Sequence, residues 1–420
     1  MKNTLLFIPL ALSLAACSSD KSGPIEPIKE RTYDASSGFK LYYNGEIMPS
    51  KSATISQDGE KGTLKIFSTF DLSQLSGLGL TGKINGPGAL PGSPVTELQL
   101  NMTQGGDYWD FAGDGDTDYC TFNYAGFANA DRFELYLNDV KLKSGGVKPS
   151  VWQPAPIKKG KGIYESLPFY LKWDYDPIPG VDLNLSPIME ALATLPIIPV
   201  YNNTAYMSVS QALSQVVRTV AFREDGNIIV TYISTAFGAA QVAQTPANRY
   251  QYAIVSPEMV KLYIDPTSLM GALLVATSGG TPADEVTIIG NGMYPSGVES
   301  TFKPGAIAQI MASETGSKII KNCLSLAMPL LSEGFPFAVN ASADSLDLYL
   351  DTELAAPLMK AILLPMLQDN STLQVIKEYL ESQPELAPFL PDIEKALMVL
   401  PQALERTTDF RIGLAFVPYS

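Results

Sequence analysis

The sequence predicts an α+β protein: an N-terminal antiparallel β-sandwich or partly open barrel, then a mixed domain of antiparallel sheet packed with short apolar helices. Three observations carry this expectation. Residues 39 to 143 read as almost pure β, in short segments that alternate apolar and polar side chains or are rich in β-branched and aromatic residues, the pattern of strands buried on one face. From residue 163 onward, strands of the same kind are interrupted by apolar stretches at helical spacing. At 420 residues, with 46% hydrophobic and 17% charged residues, the chain can build two cores and is too apolar to be disordered.

Taken in order, the chain begins MKNTLLFIPLALSLAAC. Lys2 gives a basic start, and Leu5 to Leu14 form an apolar run too short for a permanent membrane span. Leu14-Ala15-Ala16-Cys17 resembles the bacterial lipobox, so residues 1–17 are expected to be a lipoprotein signal peptide ending at a lipidated Cys17. Ser18 in place of Asp implies outer-membrane sorting, by likeness to enterobacterial lipoproteins. Residues 18–31 are polar and proline-bearing, as a tether should be.

An all-β domain is expected over 32–146. Its strands are FKLYYNGEIM, SATIS, GTLKIFSTFDL, VTELQLNM, YWDFAG, YCTFNYAG and RFELYLNDVKLK, separated by turn residues such as Asp58-Gly59 and Gly86-Pro87-Gly88. Residues 147–162, rich in Gly, Pro and Lys, read as a linker. The α+β domain occupies 163–420. It opens on the strand FYLKWDY and continues with a helix at SPIMEALATLPIIP, capped by Ser186 with Pro187 at its first position. A second helix, SVSQALSQVVRTV, feeds a hairpin turning at Asp225-Gly226. RYQYAIVSPEMVKLYIDP is a further hairpin, turning at Ser256-Pro257. Helical patterns follow over 305–332, TELAAPLMKAILLPMLQ, TLQVIKEYLESQ and DIEKALMVLPQALE, and DFRIGLAFVP closes the chain as a strand. Leu-Tyr-x-Asp/Asn recurs at 41, 135, 262 and 348. In the last two copies a helix starts at once, with Asp265 and Asp351 placed to cap it.

The order GTLKIFSTFDL, ALPGSPVTELQLNM, DYCTFNYAG, VAFREDGNIIVTY, LYLDTELAAPLMKAILLPMLQ is similar to a Bacteroidetes-restricted family of outer-membrane lipoproteins of unknown function. The resemblance covers nearly all of the chain after Cys17 and implies a location and a two-part layout, but no activity. The stretch 220–265 resembles, more loosely, the lipocalin-like domains of such lipoproteins. Bacteroidetes surface lipoproteins carry an acidic run after the Cys; here Asp20 alone precedes Lys21, so the face of the membrane is not specified.

Composition excludes several function classes. Histidine is absent, which removes His-based triads, histidine general bases and His-containing zinc sites. A net charge of -14 disfavours nucleic acid as a partner. Ser37-Gly-Phe-Lys40 has Ser-x-x-Lys spacing but no companion motif. Cys120 and Cys323 are expected to be buried thiols, a disulfide between them being the alternative. No cofactor is implied.

The expected function is non-enzymatic: an outer-membrane lipoprotein binding a hydrophobic, lipid-like small molecule in the second domain. The candidate lining is Leu354, Leu358, Ile362, Met366 and Met328, because their helices are apolar, Met-bearing (with Met189, Met270, Met311 and Met359) and bent by prolines. One alternative is a glycan-binding accessory lipoprotein, with Trp109, Trp152 and Trp173 as candidate stacking platforms. Another is a structural or interaction subunit of an outer-membrane complex. The first predicts a closed apolar cavity, the second a shallow exposed cleft with aromatics and acids, the third an exposed apolar patch. Asp114, Asp116 and Asp118 match the first ligand positions of a calcium loop, but Tyr119 and Ala125 stand where its Gly and bidentate Glu belong. A polar turn is the favoured reading there.

Overall fold

The computed structural model describes residues 26–73, 81–158, 165–192, 198–200, 205–234, 241–269, 313–381 and 390–419. The fold is mixed α+β and mostly β, built on large antiparallel sheets, one of them a curled half-barrel.

The first sheet contains β1 (Arg31–Tyr33), β2 (Phe39–Tyr43), β3 (Glu46–Ile47), β4 (Ser52–Asp58), β5 (Lys61–Asp71), β6 (Lys83–Gly86), β7 (Thr96–Gly105), β8 (Tyr108–Asp116), β9 (Cys120–Ala128) and β10 (Phe133–Leu142). Their order is β1-β4-β5-β7-β8-β9-β10-β2-β3, with β6 paired to β5. Pairing is antiparallel except between β10 and β2, which run parallel from Phe133↔Phe39 to Leu137↔Tyr43. The alternation read from sequence is the burial pattern observed: Leu98, Leu100 and Met102 of β7 point inward while Glu97, Gln99 and Asn101 point out. The sheet curls, so that Tyr33 on edge strand β1 donates its hydroxyl to Asn129 O in the β9–β10 turn at 2.7 Å. On β8, the inward glycines Gly113 and Gly115 lie under the rings of Tyr124 and Phe122 on β9, where a Cβ would collide.

The second sheet begins earlier than expected. The 147–162 stretch, expected as a linker, contributes β11 (Val151–Pro154), which pairs with strands on both sides. Its Trp152, one of the candidate stacking platforms, is 0% exposed. Turn-forming residues flank a four-residue strand whose one large apolar side chain drives it into the core, and burial outweighs the local composition. The sheet continues with β12 (Phe169–Tyr175), and further on with β15 (Val217–Phe222), β16 (Ile228–Ser234), β17 (Gln241–Gln244), β18 (Tyr250–Ser256), β19 (Met259–Ile264), β20 (Phe335–Ala341), β21 (Leu346–Leu350) and β22 (Thr407–Pro418). Between them lies a two-stranded ribbon of β13 (Ile198–Val200) and β14 (Ala205–Met207). The order is β17-β16-β15-β11-β22-β21-β20-β19-β18, and β12 also pairs with β22. The Asp225-Gly226 hairpin joins β15 to β16, with Gly226 at φ +82°, a conformation glycine adopts without strain.

One cluster of buried side chains draws on both sheets: Leu41, Tyr43 and Leu135 from the first, Phe222, Tyr252 and Phe416 from the second. Tyr43 donates its hydroxyl to Asp225 O across this junction at 2.5 Å.

Among the described residues, helices include α1 (Leu185–Leu192), α2 (Glu314–Ala327), α3 (Leu330–Glu333), α4 (Thr352–Gln368), α5 (Asn370–Glu381) and α6 (Leu390–Glu405). Ser186 does not cap α1. Asn184 Oδ1 accepts from Ser186 N, and the Ser186 hydroxyl accepts from Trp173 N instead. The helix expected at SVSQALSQVVRTV is shorter, about two turns over 209–216, because Val217 already belongs to β15. Asp265 caps the residues after it, accepting from Ser268 N, whereas Asp351 makes no side-chain cap. Asp369 joins α4 to α5, accepting from Ser371 N and from the hydroxyls of Thr372 and of Thr315 on α2. Those hydroxyls hold its carboxyl well below the usual carboxylate range.

Helix α4 is apolar on most sides, and the sequence reading enclosed it. Its buried positions are Ala355 and Met359, which join Trp173, Phe410, Ala396 and Leu400 in one cluster. Small Ala355 lets the helix lie close to its neighbours, and the opposite apolar face is left partly open.

Candidate functional site

The outward face of the first sheet carries an aromatic-walled groove. Its position follows from cross-strand register. Tyr42 on β2 lies beside Tyr136 on β10, Tyr136 beside Ala125 on β9, and Ala125 beside Ala112 on β8. One row further along, Glu134 lies beside Phe127, Phe127 beside Asp110, and Asp110 beside Thr103 on β7. Ala112 and Ala125 are small, so the first row sinks in the middle while Tyr136 and Phe127 stand up beside it. The resulting groove has a volume of about 580 Å³, is open to solvent, and is lined by Asn101, Thr103, Asp110, Phe127 and Tyr136 around Ala112, Ala125 and Gly126.

The walls are held from behind. Tyr136 stacks on Tyr42 with ring centroids 4.8 Å apart and planes 6° apart. Because β10 lies between β2 and β9, the other ring face is turned toward the groove. The Tyr136 hydroxyl donates to Glu134 Oε2 at 2.7 Å, and Arg132 donates to Glu134 Oε1 through Nη2 at 2.6 Å. Burial works to raise the Glu134 pKa, but the hydrogen bonds from Arg132 and Tyr136 outweigh it, and the carboxyl stays lowered and charged. The Tyr136 phenol is pushed up to about 12, first by burial and then by that carboxylate. Arg132 also lies over the Phe127 ring, 4.9 Å from its centroid, and Tyr108 packs on the same ring at 5.4 Å. Both wall aromatics therefore have fixed orientations.

Asp110 makes no hydrogen bond or ion pair with any described residue, and partial burial raises its pKa. Asn101 accepts from Lys61 Nζ at 2.6 Å, leaving its amide hydrogens available to a ligand.

The sequence-derived candidates fall elsewhere. Cys17, Met270 and Met311 lie outside the described residues. Leu354, Leu358 and Met366 are half-buried and Ile362 is 38% exposed. Met328 packs against Phe70, Leu72, Ile320 and Leu324, a separate cluster from the one that α4 joins. Trp152 and Trp173 are buried, and Trp109 is half-buried, donating to Glu26 O. Asp114 and Asp116 are on strand β8 and Asp118 is in the turn after it. An extended strand sets alternate carboxylates about 7 Å apart, so they cannot wrap one ion as a calcium loop does. Asp116 is instead paired with Lys143, and no cluster able to hold a metal occurs among the described residues. Cys120 and Cys323 are free thiols, the first buried and the second half-buried on α2. Among the described residues no helix is long and apolar enough to cross a membrane.

The sequence reading missed the groove. The available signal was a pair of outward-facing alanines, Ala112 and Ala125, at strand positions where neighbours are polar. No protein-family model matches the chain, and no curated protein or solved structure matches it either.

Proposed function

We propose that the chain is a non-catalytic outer-membrane lipoprotein that binds glycans in the groove between Tyr136, Phe127 and Asp110. In this reading Cys17 carries the lipid anchor, residues 18–31 are the tether, and the 32–146 region presents the binding face. The observation that carries it is the groove itself. It is shallow and open, with two immobilised aromatic rings and three hydrogen-bonding side chains (Asn101, Thr103 and Asp110) around a floor of small residues. A sugar ring has apolar C–H faces and a rim of hydroxyls, and it needs this combination of flat rings and amide, hydroxyl and carboxylate partners. The reading as binding rather than hydrolysis rests on the carboxylates. Asp110 is the acid lining the groove, and Glu134 is tied up by Arg132 and Tyr136, so neither forms an acid–base pair with the other.

The lipid-ligand reading has less behind it, since its candidate lining is half-exposed or packed in separate clusters. Screening the full chain on an array of bacterial and host glycans tests the proposal. Ala125→Leu, which fills the groove floor, should erase the signal while leaving the melting temperature near that of the parent. Signal retained in full by Ala125→Leu, or no glycan bound by the parent, would overturn it.

A further inference from the structure

The groove contains a carboxylate that the fold does not use. Asp110 has no partner among the described residues, although cations stand on the same sheet face. Three of them have partners elsewhere. Arg132 and Lys40 are directed to Glu134, at 2.6 Å and 3.8 Å. Lys61 donates to Asn101. No Lys or Arg lines the groove. Asp110 stands in the strand row between Phe127 and Thr103, and its carboxylate lies against Gly105 of β7, where a Cβ would meet Oδ2.

A carboxylate left unpaired beside aromatic surface favours a cation, through direct pairing and through the negative faces of the rings. It disfavours an anion, and the chain's net charge of -14 adds to both effects at long range. We infer that the groove selects glycans bearing free amino groups, such as unacetylated hexosamine, with Asp110 receiving the ammonium while Tyr136 supports the sugar ring. This rests on the glycan reading of the groove and specifies its ligand class. Uronic-acid and sulfated glycans are then excluded by repulsion, and N-acetylated sugars lose the charge contact but keep the stacking.

Isothermal titration of the full chain in detergent tests this with three probes: short β-linked glucosamine oligomers, their N-acetylated counterparts, and oligolysine of similar charge. The parent should bind the glucosamine oligomers best. Asp110→Asn should weaken that binding about tenfold, as expected for one partly exposed charge-assisted contact, and should weaken binding of N-acetylated oligomers less, because the amide still hydrogen-bonds but carries no charge. Equal affinity of the parent for amino and N-acetylated oligomers would overturn this inference and leave the glycan reading standing. Binding of neither oligomer would overturn both. Oligolysine bound as tightly as the amino glycan would show a site for ammonium without a sugar, and would also overturn it. Asp110 is exposed, so its amide variant should fold, and an unchanged circular dichroism spectrum verifies that.

Discussion

Replacing Lys51 with Met should stabilise the protein at neutral pH. Lys51 precedes β4 and is 7% exposed. Its ammonium donates to Pro87 O at 2.9 Å, a carbonyl that also accepts from the Ser68 hydroxyl at 2.7 Å. Burial lowers the amine from an ordinary 10.5 to about 8, with the charge of Asp265 working in the opposite direction. A folded-state pKa below the unfolded one means that protonation opposes folding. At about 1.4 kcal/mol per pH unit, the 10.5 to 8 difference makes the penalty about 3 kcal/mol. The penalty is complete below pH 8, shrinks as pH rises, and is gone above 10.5, so this group alone makes stability increase across that window. Methionine keeps most of the side-chain volume and removes the charge. It also removes one hydrogen bond, worth about 1 kcal/mol, although Pro87 O keeps its bond from Ser68. The net gain at pH 7 is therefore about 1–2 kcal/mol, and it should disappear by pH 10. Urea unfolding of parent and variant at both pH values measures this, and the difference between them cancels the cysteines and tyrosines that titrate in the same range. A Lys51→Met variant less stable at pH 7, by an amount that does not change with pH, would refute the reasoning.

Three further outcomes are expected. Gly413→Ala should cost more than about 2 kcal/mol, because its Cβ would fall 2.0 Å from Leu348 O on the neighbouring strand; a melting temperature equal to the parent's would contradict the β21–β22 register. On α4, Met359→Ala should cost about 2 kcal/mol or more while half-exposed Leu358→Trp should cost less than about 1 kcal/mol, and denaturant melts showing the reverse order would mean the helix faces the other way. Cys17→Ser should release the protein from membranes and abolish labelling by a fatty-acid probe, and unchanged fractionation would remove the anchor from the account.

What could be read from the sequence depended on the kind of burial involved. The long strands between Phe39 and Leu142 were legible because each buries one face, and one-sided burial writes itself as alternation: FELYLNDV on β10 buries Phe133, Leu135 and Leu137; the short β6 (Lys83–Gly86) was not read. Strand β11 was not, since four residues among Gly, Pro and Lys leave no period to detect. Helix α4 was legible as a helix but its facing was not, because an almost uniformly apolar helix carries little directional signal. The groove was illegible for a different reason. Tyr136, Ala125, Ala112 and Asp110 lie on three strands, and only their register brings them together. Alternation tells which face a residue occupies and says nothing about which residue stands opposite. Aromatic residues outward on a strand also look, in sequence, like aromatic residues inward on one. Tryptophan therefore drew attention as a platform, although Trp152 and Trp173 are core.

The most direct measurement is the affinity of the parent and of Tyr136→Ala for the glycan that binds best on the array, by titration in solution. Tyr136 is half-exposed and backed by Tyr42, and it lines the groove, so its removal should take away a stacking face, at a stability cost of about 1–3 kcal/mol from the lost bond to buried Glu134. The account predicts a loss of about tenfold or more, on the order of 1.4 kcal/mol of binding free energy. An unchanged affinity in a normally folded Tyr136→Ala protein would contradict it.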